Sequence, residues 1–239
     1  MPAVLSPNGP KDRATLVLLG LCVADFLLMV ALDHRVPLTL WGGSFGPLGG
    51  TPSIRTFLAV GGIWDMWLER EPWRYLSAVF VHLGVDHLLF NLAALWSLGR
   101  VIEQRLGSAR LLLSFVLTGI AGFVVSRFYY GPISPPTAGA SGALYGFIGI
   151  ELGLLVSRRD PRARKLFFEW LAFAIGFALL FSVNNAAHAG GCASGAVLGY
   201  LFEKRLVRVN PKILSILAGI ALFASVLSVI LSWLSVSHA

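Results

Sequence analysis

Charge is scarce in this sequence. Asp, Glu, Lys and Arg supply only 13% of its 239 residues, whereas 56% are hydrophobic and the mean hydropathy is +0.75. Soluble domains carry nearer ~25% charged residues, and a chain of this size folded in water still exposes a large part of its surface. That balance excludes an ordinary soluble domain and calls for the hydrocarbon of a bilayer. Cysteine is almost absent too. Cys22 and Cys192 both fall inside apolar stretches, which excludes a disulfide framework and leaves them as small buried hydrophobes. No His-Glu-x-x-His or comparable ligand pair occurs, so no metal is expected. Acids number 12 against 19 bases, a net charge of +7. The bases fall in short clusters between apolar runs, as orientation signals do, and form no patch for nucleic acid. No internal repeat or low-complexity segment stands out, and the length suits one polytopic domain.

What the sequence has in plenty is apolar residues in long runs. A spanning helix needs about 20 of them, and seven stretches qualify: 14–32, 82–99, 109–128, 140–157, 166–183, 187–203 and 212–234. Lipid offers no partner to unpaired backbone, so each is expected to be helical. The first is longer than the ~7–15-residue core of a signal peptide and reads as a membrane span. Fourteen of the 19 basic residues then lie on one side: before span 1, between spans 2 and 3, after span 4 and after span 6. The positive-inside rule makes that side cytoplasmic, with the N-terminus inside and the C-terminus outside. The expected fold class is an all-α polytopic membrane protein. It divides into a cytoplasmic segment 1–13, a six-helix core 14–205 and an extra C-terminal transmembrane helix within 206–239. Residues 33–81, the longest connection, hold four of the seven tryptophans: Trp41, Trp64, Trp67 and Trp73. Tryptophan favours the headgroup level, so this loop is expected in or on the outer interface.

Polar side chains within spans are costly and mark function by default. His82, His87 and Asn91 fall in the outer half of span 2. Ser141 opens span 4 within Gly139-Ala140-Ser141-Gly142, and His188 opens span 6 behind Asn184 and Asn185. Spans 2, 4 and 6 all run from outside to inside, so these residues share one layer beneath the outer face. Each has a bland reading. A lone membrane serine bonds back to its own helix or packs as a small residue, and a lone histidine or asparagine is a structural hydrogen-bonder. Together they supply a hydroxyl, an imidazole to take its proton, and donors for a developing negative charge. Gly191, Gly195 and Gly199 recur every fourth residue, and span 4 carries Gly142, Gly146, Gly149 and Gly153. Such ridges let helices approach closely, and close approach would bring Ser141 within reach of His188.

The polar positions belong to a longer ordered set. Along the chain stand Trp73-Arg74, His82-x4-His87-x3-Asn91 and Gly99-x3-Glu103-x3-Gly107. Then come Gly139-x-Ser141-Gly142 with Tyr145 one turn on, and His188-x-Gly190-Gly191-x3-Gly195-x3-Gly199. Over roughly residues 65–205 this set resembles the rhomboid family of intramembrane serine proteases. The resemblance implies a six-helix bundle, here with one additional C-terminal helix, and a serine endopeptidase that cleaves transmembrane segments near the outer face without cofactor or metal. It implies Ser141 as nucleophile and His188 as base in a dyad lacking a third acid. His87, Asn91 and the Ser141 backbone N–H would form the oxyanion hole, and Tyr145 would stack on His188. Trp73 and Arg74 would stabilise the first outer loop. His82, Gly139, Gly142, Gly191, Gly195 and Gly199 would be structural neighbours of the site.

Some positions depart from the expected pattern. Ala138 stands where a second glycine is common. Glu151 lies deep in span 4 and Asp25 within span 1, as structural hydrogen-bonders or as neutral acids. The expected partners are transmembrane protein substrates and the bilayer, in a bacterial inner membrane, with no nucleic acid. Two rivals remain in view. A catalytically silent relative that binds membrane proteins would normally have lost the serine or the histidine, and a transporter would show paired repeats with broken helices at the midplane. An aspartyl intramembrane protease needs two facing aspartates, and only Asp25 qualifies.

Overall fold

The structure, a computed structural model, describes residues 12–36, 52–64, 68–133, 136–180, 183–207 and 209–237. Long helices occupy all seven apolar stretches: α1 (Arg13–Leu32), α4 (Val85–Ala94) continuing into α5 (Arg100–Leu106), α6 (Ser108–Tyr130), α7 (Ser141–Ser157), α8 (Arg162–Leu180), α9 (Asn185–Glu203) and α10 (Pro211–Ser237). Two short helices, α2 (Ile54–Ala59) and α3 (Arg74–Ser77), lie in the 33–81 connection. The helix ends fall within a few residues of the expected spans, except that the second runs past Gly99 to Leu106 through a π-helical turn at Leu95–Gly99. By length and composition α1, α6 and α10 can each cross a membrane, and α7 is a shorter apolar helix. The other three carry the charged or polar groups that the bundle needs, which lowers their apolarity without removing them from it.

At one end of the bundle, buried charge ties helices together. The Glu103 carboxylate accepts from the backbone N–H groups of Ala14 and Thr15, each at 2.9 Å, and from the Thr15 and Ser108 hydroxyls, each at 2.7 Å. The first N–H groups of a helix have no partner within it, so Glu103 on α5 caps α1 from outside. Gly99 lets α1 come close, because a Cβ there would stand 3.1 Å from Thr15 Cγ2. Gly107, at φ +86°, breaks the chain between α5 and α6 where other residues would be strained. Glu151 pairs with Arg105 in this same layer, so of its two expected roles the structure displays the hydrogen-bonding one. Both oxygens of Asp25 are buried without a hydrogen-bond partner among the described residues.

α6 runs through the centre and packs against α1, α3, α5, α7, α9 and α10. The tightest seam lies between α7 and α9. A Cβ added at Gly191, Gly195 or Gly199 would run into the backbone of Gly142, Gly146 or Ile150, and one added at Gly149 or Gly153 into that of Cys192 or Ala196. The pairs advance together along both helices, so α7 and α9 run parallel with their N-terminal ends side by side. α8 is bound far more loosely, with no buried residue among those described, and packs on α7.

Part of the 33–81 loop packs into the protein. Phe57, Leu58, Ala59, Val60, Ile63, Leu68 and Ala78–Val81 are buried in the main hydrophobic core. The loop fills the end of the bundle that holds Ser141 and His188, and burying its apolar side chains stabilises that end. Trp64 packs partly buried against that core and Trp73 is half-buried, whereas Trp41 and Trp67 lie outside the described residues.

Candidate active site

Ser141 is the first residue of α7, and the segment before it is held from two sides. Thr137 and Ile63 exchange backbone hydrogen bonds of 2.9 and 3.1 Å, and the Gly139 N–H donates to the Ala78 carbonyl at 2.9 Å. Gly139 sits at φ +124°, a conformation strained for any side chain, and a Cβ there would stand 2.8 Å from His87 Nε2. The glycine therefore turns the chain into α7 and lets His87 approach that turn. Ala140 precedes the helix without a side-chain cap, so the first N–H groups of α7 lack a side-chain partner there, and the positive end of the helix dipole begins at Ser141 beside the cavity.

His188 lies in the first turn of α9, which is capped by a side chain. Asn184 Oδ1 accepts from the Ala187 N–H at 2.9 Å, while its Nδ2 donates to Ser126 Oγ at 2.7 Å and Thr137 Oγ1 at 3.0 Å. One side chain thus fixes the start of α9 to α6 and to the segment leading into Ser141. With the glycine seam holding the helices parallel, His188 Nε2 lies 2.8 Å from Ser141 Oγ. The Tyr145 ring stacks on the imidazole with centroids 4.2 Å apart and planes 11° from parallel. His188 is buried.

α4 supplies the opposite wall. The Leu83 N–H donates to His87 Nδ1 at 3.3 Å, and a nitrogen that accepts carries no proton. The proton then resides on Nε2, the nitrogen nearest Gly139, making it a donor on the site side. Asn91 Nδ2 donates to the His87 carbonyl at 2.8 Å and keeps a second hydrogen. His82 is fully buried, its Nδ1 2.8 Å from the Phe80 carbonyl oxygen and its ring 5.0 Å from that of His87. Asp86 accepts from the His87 N–H at 2.8 Å.

His87, Asn91, Ser141, Tyr145 and His188 all line one cavity of about 420 Å³, whose far side is the aromatic row Trp170, Phe173 and Phe177 of α8. Trp73 and Arg74 do not line it. Arg74 is fully buried and bonds to Glu71, to the Leu58 carbonyl at 2.6 Å and to the Gly62 carbonyl at 3.0 Å. Asn184 and Thr137, which align the two halves of the site, carry no role in the sequence reading. The helix-start position of Asn184 was a usable signal, since asparagine is a preferred N-cap. Thr137 had none.

Fold and site together define a class: a polytopic helical membrane protein in which a serine and a histidine from parallel helices meet beside a cavity walled by hydrogen-bond donors. The family model described as "Rhomboid domain" matches residues 69–205. The chain belongs to the rhomboid family. It is 36% identical to "Rhomboid protease GluP" of Bacillus subtilis over 172 residues, covering 66% of this chain and 33% of that protein. It is 33% identical to "RHOMBOID-like protein 1" of Arabidopsis thaliana over 202 residues, covering 82% and 48%. It is 30% identical to "Rhomboid protease GlpG" of Klebsiella pneumoniae over 196 residues, covering 78% and 62%. The aligned part therefore spans from a third to about three fifths of these relatives' own lengths.

Proposed function

We propose that this protein is an intramembrane serine endopeptidase that cleaves transmembrane segments of other membrane proteins near the outer face of the bilayer. The observation that carries the reading is the 2.8 Å approach of His188 Nε2 to Ser141 Oγ. Membership of a family whose relatives are named as proteases supports it.

In this reading Ser141 Oγ attacks a substrate carbonyl carbon while His188 Nε2 accepts the hydroxyl proton. The carbonyl oxygen becomes an anion next to the N-terminus of α7, where the Ser141 N–H, His87 Nε2–H and the second Asn91 hydrogen donate to it. Donors of this kind are each worth ~3 kcal/mol of transition-state stabilisation. His188 then returns its proton to the leaving amine, and water attacks the acyl-enzyme with His188 again as base. Tyr145 holds the imidazole plane, a task that other sites give to an acid. A helical substrate hides its carbonyls in its own hydrogen bonds, so cleavage requires a locally unwound segment.

The reading includes seven spans, six of them forming the protease core, in a bacterial inner membrane with the N-terminus cytoplasmic and the C-terminus outside. The test is direct. Purified protein should cleave a single-pass model substrate and take up a fluorophosphonate probe, while Ser141→Ala, equally well folded, should do neither. Cleavage by Ser141→Ala at the wild-type rate sinks the assignment.

A further inference from the structure

α10 is the helix that a six-span core does not require, and its buried face is rich in serine. Ser225, Ser228 and Ser232 are buried, and their hydroxyls donate back to their own helix, to the carbonyls of Ala221, Ser225 and Ser228 at 2.7–2.8 Å. Those bonds satisfy the serines without outside help, so small size accounts for them. Ser235, one turn further on, is different. Its one hydroxyl hydrogen is shared between the Ser232 carbonyl at 2.9 Å and Glu71 Oε2 at 3.3 Å, and its oxygen accepts from Arg74 Nη2 at 3.5 Å. Glu71 and Arg74 form an ion pair only 5% and 0% exposed. Polar neighbours of a pair this deeply buried matter, because lone pairs and protons left over have no water to turn to.

From that pair a continuous series of contacts leads to the site. Arg74 grips the Leu58 and Gly62 carbonyls. Between them lies Gly61, at φ +103°, where a Cβ would stand 3.5 Å from Ser232 Oγ, so α10 lies alongside this turn. Its carbonyl accepts from Ser77 at 2.9 Å. Ile63 follows, paired through its backbone with Thr137, whose hydroxyl accepts from the Asn184 that caps the His188 helix. α3 leads to Ala78, whose carbonyl holds the Gly139 N–H two residues before Ser141. Both members of the Ser–His pair are thus referred, through different hydrogen bonds, to the one turn that Glu71, Arg74 and α10 hold.

We propose that Ser235 is a positioning residue: through the Glu71–Arg74 pair, α10 sets the alignment of Ser141 with His188 without touching the site. The proposal rests on the reading of these two residues as a catalytic dyad. Removing the hydroxyl should lower the fraction of molecules in which Nε2 and Oγ are aligned, and no part of Ser235 meets substrate. The loss should therefore fall on kcat and on the rate of probe labelling, with KM unchanged.

The test uses the full chain in proteoliposomes, well below the unfolding temperature of every variant. Ser235→Ala should lower kcat and the fluorophosphonate labelling rate about fivefold, the size of one ordinary net hydrogen bond. Ser235→Thr, which keeps the hydroxyl, should restore both. In a Glu71→Ala background Ser235→Ala should cost much less, since the carboxylate that Ser235 meets is then gone. Equal rates for wild type and Ser235→Ala overturn the proposal, as does failure of Ser235→Thr to rescue, or an undiminished loss in the Glu71→Ala background. If the unaltered protein itself takes up no probe, the dyad reading fails instead.

Discussion

An imidazole held 2.8 Å from a hydroxyl is a useful base only while its ring stays in the plane that points Nε2 at the oxygen. Serine hydrolases of other folds fix that plane with a carboxylate bonded to the far nitrogen. Here the ring of Tyr145 lies against His188 at 4.2 Å and 11°, and restrains it through contact over a face. Stacked aromatic pairs are worth about 0.5–1.5 kcal/mol beyond their area, which translates to at most roughly tenfold in rate. In the proposed mechanism the ring supplies this restraint and the phenol oxygen is not required. Tyr145→Phe should therefore keep near-wild-type kcat, while Tyr145→Ala should lose about tenfold. Turnover of a model substrate by both variants decides the matter, and a Tyr145→Phe loss as large as that of Tyr145→Ala would assign the work to the hydroxyl.

At the scale of helices, the site depends on how closely α7 and α9 approach. Their seam is backbone against backbone, with Gly195 set over the Gly146 carbonyl. Gly195→Leu has nowhere to put its side chain without parting the helices. Overpacking of this kind costs about 1–3 kcal/mol, and the parted ends carry Ser141 and His188. The variant should unfold at a lower temperature than wild type and label poorly with the probe. Ser141→Ala should lose labelling alone. A Gly195→Leu protein with wild-type melting and labelling would mean that the seam does not set the site. This seam was legible in the sequence, because glycines four apart on two stretches announce a close contact before any coordinates exist. The role of Glu103 was less so: its spacing marks a motif, but its partners are the N–H groups of α1, 88 and 89 residues away, and nothing local reveals a cap that distant. The packing of the 33–81 loop was hidden for a related reason. Ala78–Val81 has the composition of a span or an interface alike, and only the bonds of Ala78 to Gly139 and of Ile63 to Thr137 fold it inward.

For the whole molecule, the polar groups separate into two layers at opposite ends of the bundle. One holds Asp12 with Arg100, Glu103, Arg105 with Glu151, and Arg158 with Glu203, linking the ends of α1, α5, α7 and α9. The other holds Asp33, the Glu71–Arg74 pair and the residues around Ser141 and His188. Fourteen of the 19 basic residues belong by sequence to the first end, in its loops and in the helix turns that flank them. Each arginine or lysine close to a membrane end biases that end toward the cytoplasm, so the proposed topology turns the cavity toward the outside. Water reaches a site near the outer face by a short path, and hydrolysis consumes water. A reporter enzyme that matures only outside the cytoplasm should be active when fused after Ser237 and inactive when fused after Val207, one helix earlier. The reverse pattern would invert the molecule and turn the cavity to the cytoplasm. Activity from both fusions would mean that α10 does not cross, leaving Ser235 to be held against the outer loop by protein contacts alone.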